Sequence, residues 1–305
     1  MPKVSRDFVG YGEQPLPGRW PGASKVAVSL VLNIEDGAER STARGDEVDD
    51  LNAHWIKHSA SAAERNSSLE SAFDYGARAG IWRVLRTLRE FNAPCTAFCC
   101  AEALMANPSI AAALVRDGHE IANHGLKWNT HTNLDKRAER EEIRRSTQKI
   151  LAVTGHPPTS WYSRDGISSW TLETLLDESY SYDSNSFCDD SPYSVGAGGR
   201  SMTVVPYAGD TNDSGLLSMF PTGRAFGDYL RDALEMLLSE SRVGATVMSV
   251  GLHPRLIGRP GLITGLRSFL REARELGTWI APRSEIASYW KTHIAGAEET
   301  NSPQP

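Results

Sequence analysis

The sequence predicts an α/β protein built as a barrel of repeated β/α units. Three observations carry this. Apolar, β-branched runs alternate about seven times with longer segments of helical period, and Gly, Pro or Asn separates them. Such alternation implies a parallel sheet wrapped by helices. Neither GxGxxG after the first strand nor GxxxxGK[ST] occurs, so a closed or distorted barrel is favoured over an open nucleotide-binding sheet. A chain of 305 residues also buries a full core without disulfide or metal staples.

The elements follow in order. Met1–Gly22 is rich in Gly and Pro and reads as an arm on the outside of the barrel. Lys25–Asn33 is a nearly unbroken apolar run, as a strand covered on both faces requires. Asp36–Leu69 is a polar insertion, a candidate lid. A helix is expected over Gly76–Phe91, a strand over Cys95–Cys100, a helix over Ser109–Asp117 and a strand over His119–Asn123. Helix Asp135–Val153, strand Thr159–Tyr162, helix Ser169–Glu178 and strand Tyr180–Ser184 come next. Asn185–Met202 mixes acids, aromatics and glycines and is expected to be a mobile loop over a site. Strand Thr203–Tyr207, helix Gly223–Glu240, strand Ala245–Leu252, helix Gly261–Leu276, strand Thr278–Ala281 and helix Arg283–Lys291 complete the repeat. The expected division is an arm over 1–24, a barrel domain over 25–293 and a flexible tail over 294–305.

Composition excludes several partners. The net charge is −6 and the 32 Lys and Arg are scattered, which leaves no footprint for nucleic acid or anionic lipid. No apolar run approaches the ~20 residues that span a bilayer, and the first twenty residues show no export signal; a cytoplasmic protein with no membrane partner is expected. Cys95, Cys99, Cys100 and Cys188 form no CxxC pair and read as buried free thiols.

In a β/α barrel the chemistry sits where strands run out into the following loops. Those positions hold Glu35 and Asp36, His124, Arg164, Asp183, and His253. Singly, an acid there is often a helix cap or turn residue and a histidine often structural. Jointly they predict a functional cluster of carboxylates, histidines and an arginine.

The order Glu35-Asp36-Gly37, GHEIANH at Gly118–His124, the Arg164 segment and GLH at Gly251–His253 resembles the motifs of the polysaccharide deacetylase superfamily, carbohydrate esterase family 4. RDFVGYGEQP at Arg6–Pro15, YGARAGIWR at Tyr75–Arg83, HGLKW at His124–Trp128, YDSNSFCDDSPY at Tyr182–Tyr193, PYAGDTND at Pro206–Asp213 and GLHPRLIGRPG at Gly251–Gly261 are similar to its bacterial allantoinase and cyclic-imide-hydrolase-like branch. The resemblance implies a distorted (β/α)7 barrel.

It also implies roles. In the sugar-deacetylating members an acid pair supplies a base and a metal ligand, and two histidines four apart complete a metal triad. By position Glu35 is then the base, Asp36 the carboxylate ligand and His124 the first histidine, while Trp128 stands where the second would be. One carboxylate and one imidazole fall short of the three protein ligands usual in hydrolytic zinc sites. His131, seven residues past His124, is a candidate third ligand. His54 and His58 share a helix face by spacing but read as part of a solvated helix. The allantoinase-like branch implies a site needing no cofactor; zinc is the alternative.

Without a metal, mutual repulsion and burial are expected to raise the pKa values of Glu35 and Asp36. One of the pair can then act as a base near neutral pH; Glu35 is expected to take a proton from water attacking an amide carbonyl, while His124 or His253 stabilises the oxyanion or protonates the leaving nitrogen. Arg164 is expected to orient the substrate carbonyl or the acid pair. Trp128, Trp161, Tyr193 and Asp183 are expected to contact a small, flat substrate. Three functions stay open: a hydrolase opening a small cyclic ureide or imide, a metal-dependent de-N-acetylase of an aminosugar or peptidoglycan fragment, and a non-catalytic binding barrel. The branch further implies a homo-oligomer, a tetramer.

Overall fold

A computed structural model describes residues 6–13, 17–51, 64–197, 199–215, 222–240 and 244–296. Its centre is β1 (Val26–Ile34), buried along its whole length. On one side β1 pairs in parallel with β2 (Thr96–Cys99), followed by β3 (Glu120–Asn123), β4 (Ser160–Trp161), β5 (Tyr182–Asp183) and β7 (Arg200–Val204). On the other it pairs with β8 (Thr246–Leu252), and β9 (Trp279–Ile280) joins it at Ala27 and Val28. The sheet curls into a distorted barrel with helices outside.

The strand period of two sorts side chains between layers. Val26, Val28, Leu30, Leu32 and Ile34 enter the core beneath the helices, with Met248, Val250 and Leu252 from β8. The alternate residue Val31 meets Phe98, Ala122 and Tyr207 in a separate interior cluster. Continuing each alternation past the strand end puts Glu35, His124 and His253 on the interior side. The geometry of the mouth is thus inherited from the pleat.

The helices are α1 (Ser67–Tyr75), α2 (Ile81–Glu90), α3 (Ala101–Ala106), α4 (Pro108–Arg116), α5 (Lys136–Thr154), α6 (Thr171–Asp177), α7 (Gly223–Glu240), α8 (Ile263–Glu275) and α9 (Arg283–Tyr289). Asp135 caps α5 by accepting from the Ala138 N–H, and left-handed Gly155 ends it. No helix among the described residues is long and apolar enough to cross a membrane.

Four expectations change. The helix expected from Gly76 starts at Ser67, inside the insertion, and runs through a π-helical turn at Gly76–Gly80 into α2. Asn66 caps it, and Leu69, Ala72 and Phe73 bury its inner face. The segment expected to be a mobile loop contains β6 (Tyr193–Ala197), antiparallel to β7 in a register that runs from Tyr193 opposite Val204 to Ala197 opposite Arg200. Cys188 is exposed, whereas Cys95, Cys99 and Cys100 are buried free thiols. Ile294, placed in the tail, is buried in a π-helical turn at Trp290–Ala295.

Much of the arm is docked: Trp20 is buried and donates to the Thr246 carbonyl, and the Tyr11 hydroxyl donates to the Pro192 carbonyl. His54 and His58 lie outside the described residues, as does 297–305.

Between β7 and β8 no ladder forms among the described residues; the seam is crossed by backbone bonds from the Val247 N–H to the Asp190 carbonyl (2.7 Å) and from the Gly251 N–H to the Thr211 carbonyl (3.1 Å), and by one buried side chain. The fully buried Arg283 guanidinium donates to Ser184 Oγ (2.9 Å), Ser249 Oγ (2.7 Å) and the carbonyls of Pro206 (2.6 Å) and Val205. The Pro206 carbonyl also accepts from Ser249 Oγ at 2.9 Å, so Arg283 adds to the pairing of these sheet-edge acceptors.

Candidate active site

Glu35 and Asp36 leave β1 into a turn in which the Ala38 N–H donates to the Glu35 carbonyl at 2.7 Å, with left-handed Gly37 (φ 98°) at its third position. Glu35 is the hub. Its Oε1 lies 3.3 Å from His124 Nε2 and 3.5 Å from His253 Nε2, and its Oε2 accepts from Arg255 Nη1 at 2.8 Å. The same Nη1 donates to Asp36 Oδ1 at 3.2 Å, while Asp36 Oδ2 has no hydrogen-bond partner.

Each histidine is oriented from its far side. His124 Nδ1 lies 2.8 Å from the Tyr162 carbonyl, an acceptor only, so that nitrogen donates to it while Nε2 faces the Glu35 carboxylate. His253 Nδ1 lies 2.6 Å from Asp213 Oδ1, and the other Asp213 oxygen accepts from the His253 N–H at 2.8 Å. Asp213 is fully buried, so its partners fix it. Tyr162 stacks on His124 and on Phe98, with Tyr207 edge-on.

The electrostatics separate these groups. Burial alone would raise the Glu35 carboxyl, but the charges of His253 and Arg255 and hydrogen bonds from both histidines hold it well below the usual carboxylate range. Burial pushes Asp36 up to about 7 against the pull of Arg255, with Glu35 and Glu39 adding to the rise. The elevation expected for the pair therefore falls on Asp36, because Arg255 and His253 favour Glu35. Burial opposes the charge on His253, yet Glu35 and Asp213 raise it to about 9.

Glu35, Asp36, His124 and His253 come together; the remaining expected residues stand apart from that centre. Arg164 is paired through both terminal nitrogens with Asp50, and its guanidinium carbon lies 3.6 Å from the centre of the Trp128 ring. The arginine on the acid pair is Arg255. Trp128 is buried beside both arginines and Phe73. Trp161 is fully buried in a core cluster with Ile143, Leu175, Tyr180 and Met202. Tyr193 lies on β6 and donates to Ser186 Oγ at 2.6 Å. Asp183 accepts from the Asn185 side chain and N–H, and burial raises it to about 6.

His131 is buried with Nδ1 3.4 Å from Glu139 Oε1 and its ring edge-on to Trp161, so it is bound into the α5–α6 side of the barrel. Asp36 Oδ1 is occupied by Arg255. Among the described residues no three His, Cys, Asp or Glu side chains are arranged to hold a metal ion. The donor set does not fit the metal triad that the resemblance implies in the sugar-deacetylating members.

Asp213 and Arg255 carry no assigned role in the sequence reading. Both lie within quoted motifs, and Arg255 is two residues past His253 on the rim, a position signal that could have found it.

The Polysaccharide deacetylase family model matches residues 62–178. A Schizosaccharomyces pombe protein assigned by name to the polysaccharide deacetylases is 32% identical over 311 residues, covering 94% of this chain and 97% of its own. A Pseudomonas aeruginosa structure assigned likewise is 34% identical with a TM-score of 0.88, over 94% of this chain and 98% of its own. The structure of PuuE allantoinase is also 34% identical with a TM-score of 0.88, over 94% of this chain and 97% of its own.

Proposed function

The chain belongs to the polysaccharide deacetylase family, and from that premise we propose that it hydrolyses a carbon–nitrogen bond in a small cyclic amide, a ureide or imide of the allantoin type. The observation that carries this reading is the hub at Glu35. A buried carboxylate held ionised between two imidazoles and a guanidinium supplies a base and an acid from the chain's own residues. Pairs of groups whose environments push their pKa values apart mark the base and the acid. Here they are Glu35 and His253.

Water attacks the ring carbonyl while Glu35 takes its proton. His124 Nε2, 3.3 Å from Glu35 Oε1, keeps that carboxyl group in place through the step. The His253 imidazolium, held by Asp213, donates Nε2–H to the ring nitrogen as the carbon–nitrogen bond breaks. The products are a carboxyl group and an N–H on one opened molecule. No step is routed through a metal.

A panel of allantoin, hydantoin, succinimide, phthalimide and N-acetylglucosamine oligomers tests the reading, with chelator-stripped protein run beside untreated protein. Ring opening that survives stripping is the expected result. The second reading, a metal-dependent de-N-acetylase, is favoured by the polysaccharide deacetylase name of the 32% identical relative. Acetate release that disappears on stripping and returns with zinc would establish it in place of the first.

A further inference from the structure

A cavity of about 390 Å³, within the range of small-molecule sites, is lined by Arg40, His131, Glu142 and Arg164 among others. Its walls come from the loops that carry the hub. Arg40 follows Glu35 and Asp36 in the loop after β1, and His131 follows His124 in the loop after β3. Arg164 follows Tyr162, whose carbonyl holds His124.

Arg164 is the partition. Its terminal nitrogens are taken by Asp50 and its Nε donates to Asp165 Oδ2 at 3.0 Å, so it has no donor to spare for a ligand. Its guanidinium carbon lies 3.6 Å from the centre of the Trp128 ring, and that of Arg255, which holds Glu35 and Asp36, lies 5.0 Å from the same centre. One arginine and one indole separate the cavity from the acid pair.

Three other groups on the cavity are left unmatched. Arg40 comes no closer than 3.9 Å to Asp50, which Arg164 already occupies, and its terminal nitrogens donate to nothing among the described residues. Glu142 Oε1 accepts from the Leu126 N–H at 3.1 Å, and its other oxygen accepts from nothing among them. His131 is 1% exposed; its Nδ1 lies against Glu139, while its Nε2 has no partner among them. A cation and a carboxylate thus face one cavity without pairing with each other, beside a buried imidazole nitrogen. Such a lining matches a ligand that brings an anion together with N–H donors.

Ring opening of a cyclic ureide yields that class of molecule, a carboxylate joined to a urea. An opened imide ends in a primary amide and lacks the second urea nitrogen. We propose that this cavity binds an open-chain ureido acid, its carboxylate on Arg40 and its urea on Glu142 and His131, as a product pocket beside the reacting site. The ligand's origin rests on the ring-opening reading, which the pocket narrows to ureides.

N-carbamoylglycine, the opened form of hydantoin, is titrated into the whole protein by calorimetry, with acetate, glycine and succinamate as comparators. No turnover is needed, so a failed titration leaves ring opening standing, and a substrate panel without turnover leaves the pocket standing. One saturable site is expected, tighter for N-carbamoylglycine than for any comparator. Arg40→Ala should weaken it roughly tenfold or more, the scale of a hydrogen bond to a charged group. Glu142→Gln should bring its affinity toward that of succinamate, and Glu35→Gln should leave it unchanged.

The proposal is overturned if the parent shows no saturable binding, if Arg40→Ala binds as tightly, or if glycine or succinamate binds equally well. Loss of binding in folded Glu35→Gln overturns it too, since the ligand would then sit on the hub. Should Arg40→Ala fail to fold, Arg40→Gln takes its place with the same expected weakening, and unchanged affinity there is equally fatal.

Discussion

Glu35→Gln keeps the size and the hydrogen-bonding reach of the side chain but removes the base. With two imidazoles and a guanidinium aimed at it, the neutral amide also loses the charge they compensate. A loss of about 10³-fold in kcat is expected, with KM little changed, since general-base contributions run from about 10² to 10⁴. Steady-state kinetics on whichever ring opens will check it; unchanged kcat would remove Glu35 from the mechanism.

His253 carries the pH dependence. Its folded value of about 9 exceeds its ordinary 6.5, so its protonated form stabilises the fold fully below pH 6.5, and that stabilisation is lost as pH rises through about 9. The limit is about 3 kcal/mol by the usual conversion per pKa unit. Catalysis by the imidazolium should fail over the high end of the same window. Denaturant midpoints and kcat/KM measured from pH 6 to 10 on the parent and on Asp213→Asn provide the test. Losing the Asp213 charge should move the upper limb of the rate profile to lower pH.

Residue by residue, what was legible was what the strands aim. Glu35, His124 and His253 follow buried strands by one residue, so the pleat decides their direction. Arg164 sits on the same rim, but a long side chain ends where its charge is best met, and Asp50 in the insertion meets it. Arg255 lies in a turn and Asp213 opens a helical turn just past the bridge at Asn212, positions to which no strand period extends.

At the scale of elements, the π-helical turn at Gly76–Gly80 decides how closely the α1–α2 helix approaches the acid pair. A Cβ on Gly76 collides with Asp36, and one on Gly80 would lie 2.0 Å from the Pro254 carbonyl oxygen, just before Arg255. Neither glycine has a positive φ, so the requirement is for space alone. Gly76→Ala should therefore destabilise by about 2 kcal/mol through overpacking and displace Asp36, with activity lost in parallel. Gly209→Ala, where a Cβ meets nothing within 4 Å, is the control expected to change little. Chemical denaturation of both variants distinguishes crowding from a general penalty for alanine. The start of this helix escaped the sequence reading because its first residues, Ser67–Leu69, fall in the segment read as a polar insertion. Yet Leu69, Ala72 and Phe73 keep helical spacing and Asn66 is a good cap. The β6–β7 hairpin was harder to see, because alternation in SVGAGGRSM is weak and its outer positions are exposed.

For the whole molecule, the repeat in the sequence marks eight of the nine strands among the described residues, without β6, and does not say how the sheet closes. Backbone bonds from Val247 and Gly251 share the closure with Arg283, a residue at the start of α9 that no strand pattern marks. It meets carbonyls 205 and 206 on one side of the seam and Ser249 on the other, deep enough that burial works against its charge and lowers its pKa. A cation so placed is held by hydrogen bonds rather than by a paired acid, so its worth lies in the acceptors it satisfies. Arg283→Met fills much of the volume and removes the guanidinium donor from both carbonyls, leaving Pro206 its bond from Ser249 Oγ. It should cost about 3 kcal/mol or more, at ~1–3 kcal/mol for each buried acceptor left unsatisfied. Arg267→Ala, which breaks an exposed pair with Glu90, should cost less than about 1 kcal/mol. If thermal and denaturant unfolding show the two variants equally stable, the seam is held by the backbone bridge between Asn212 and Gly251 instead. The barrel would then owe its closure to the same β8 end that delivers His253 to the site.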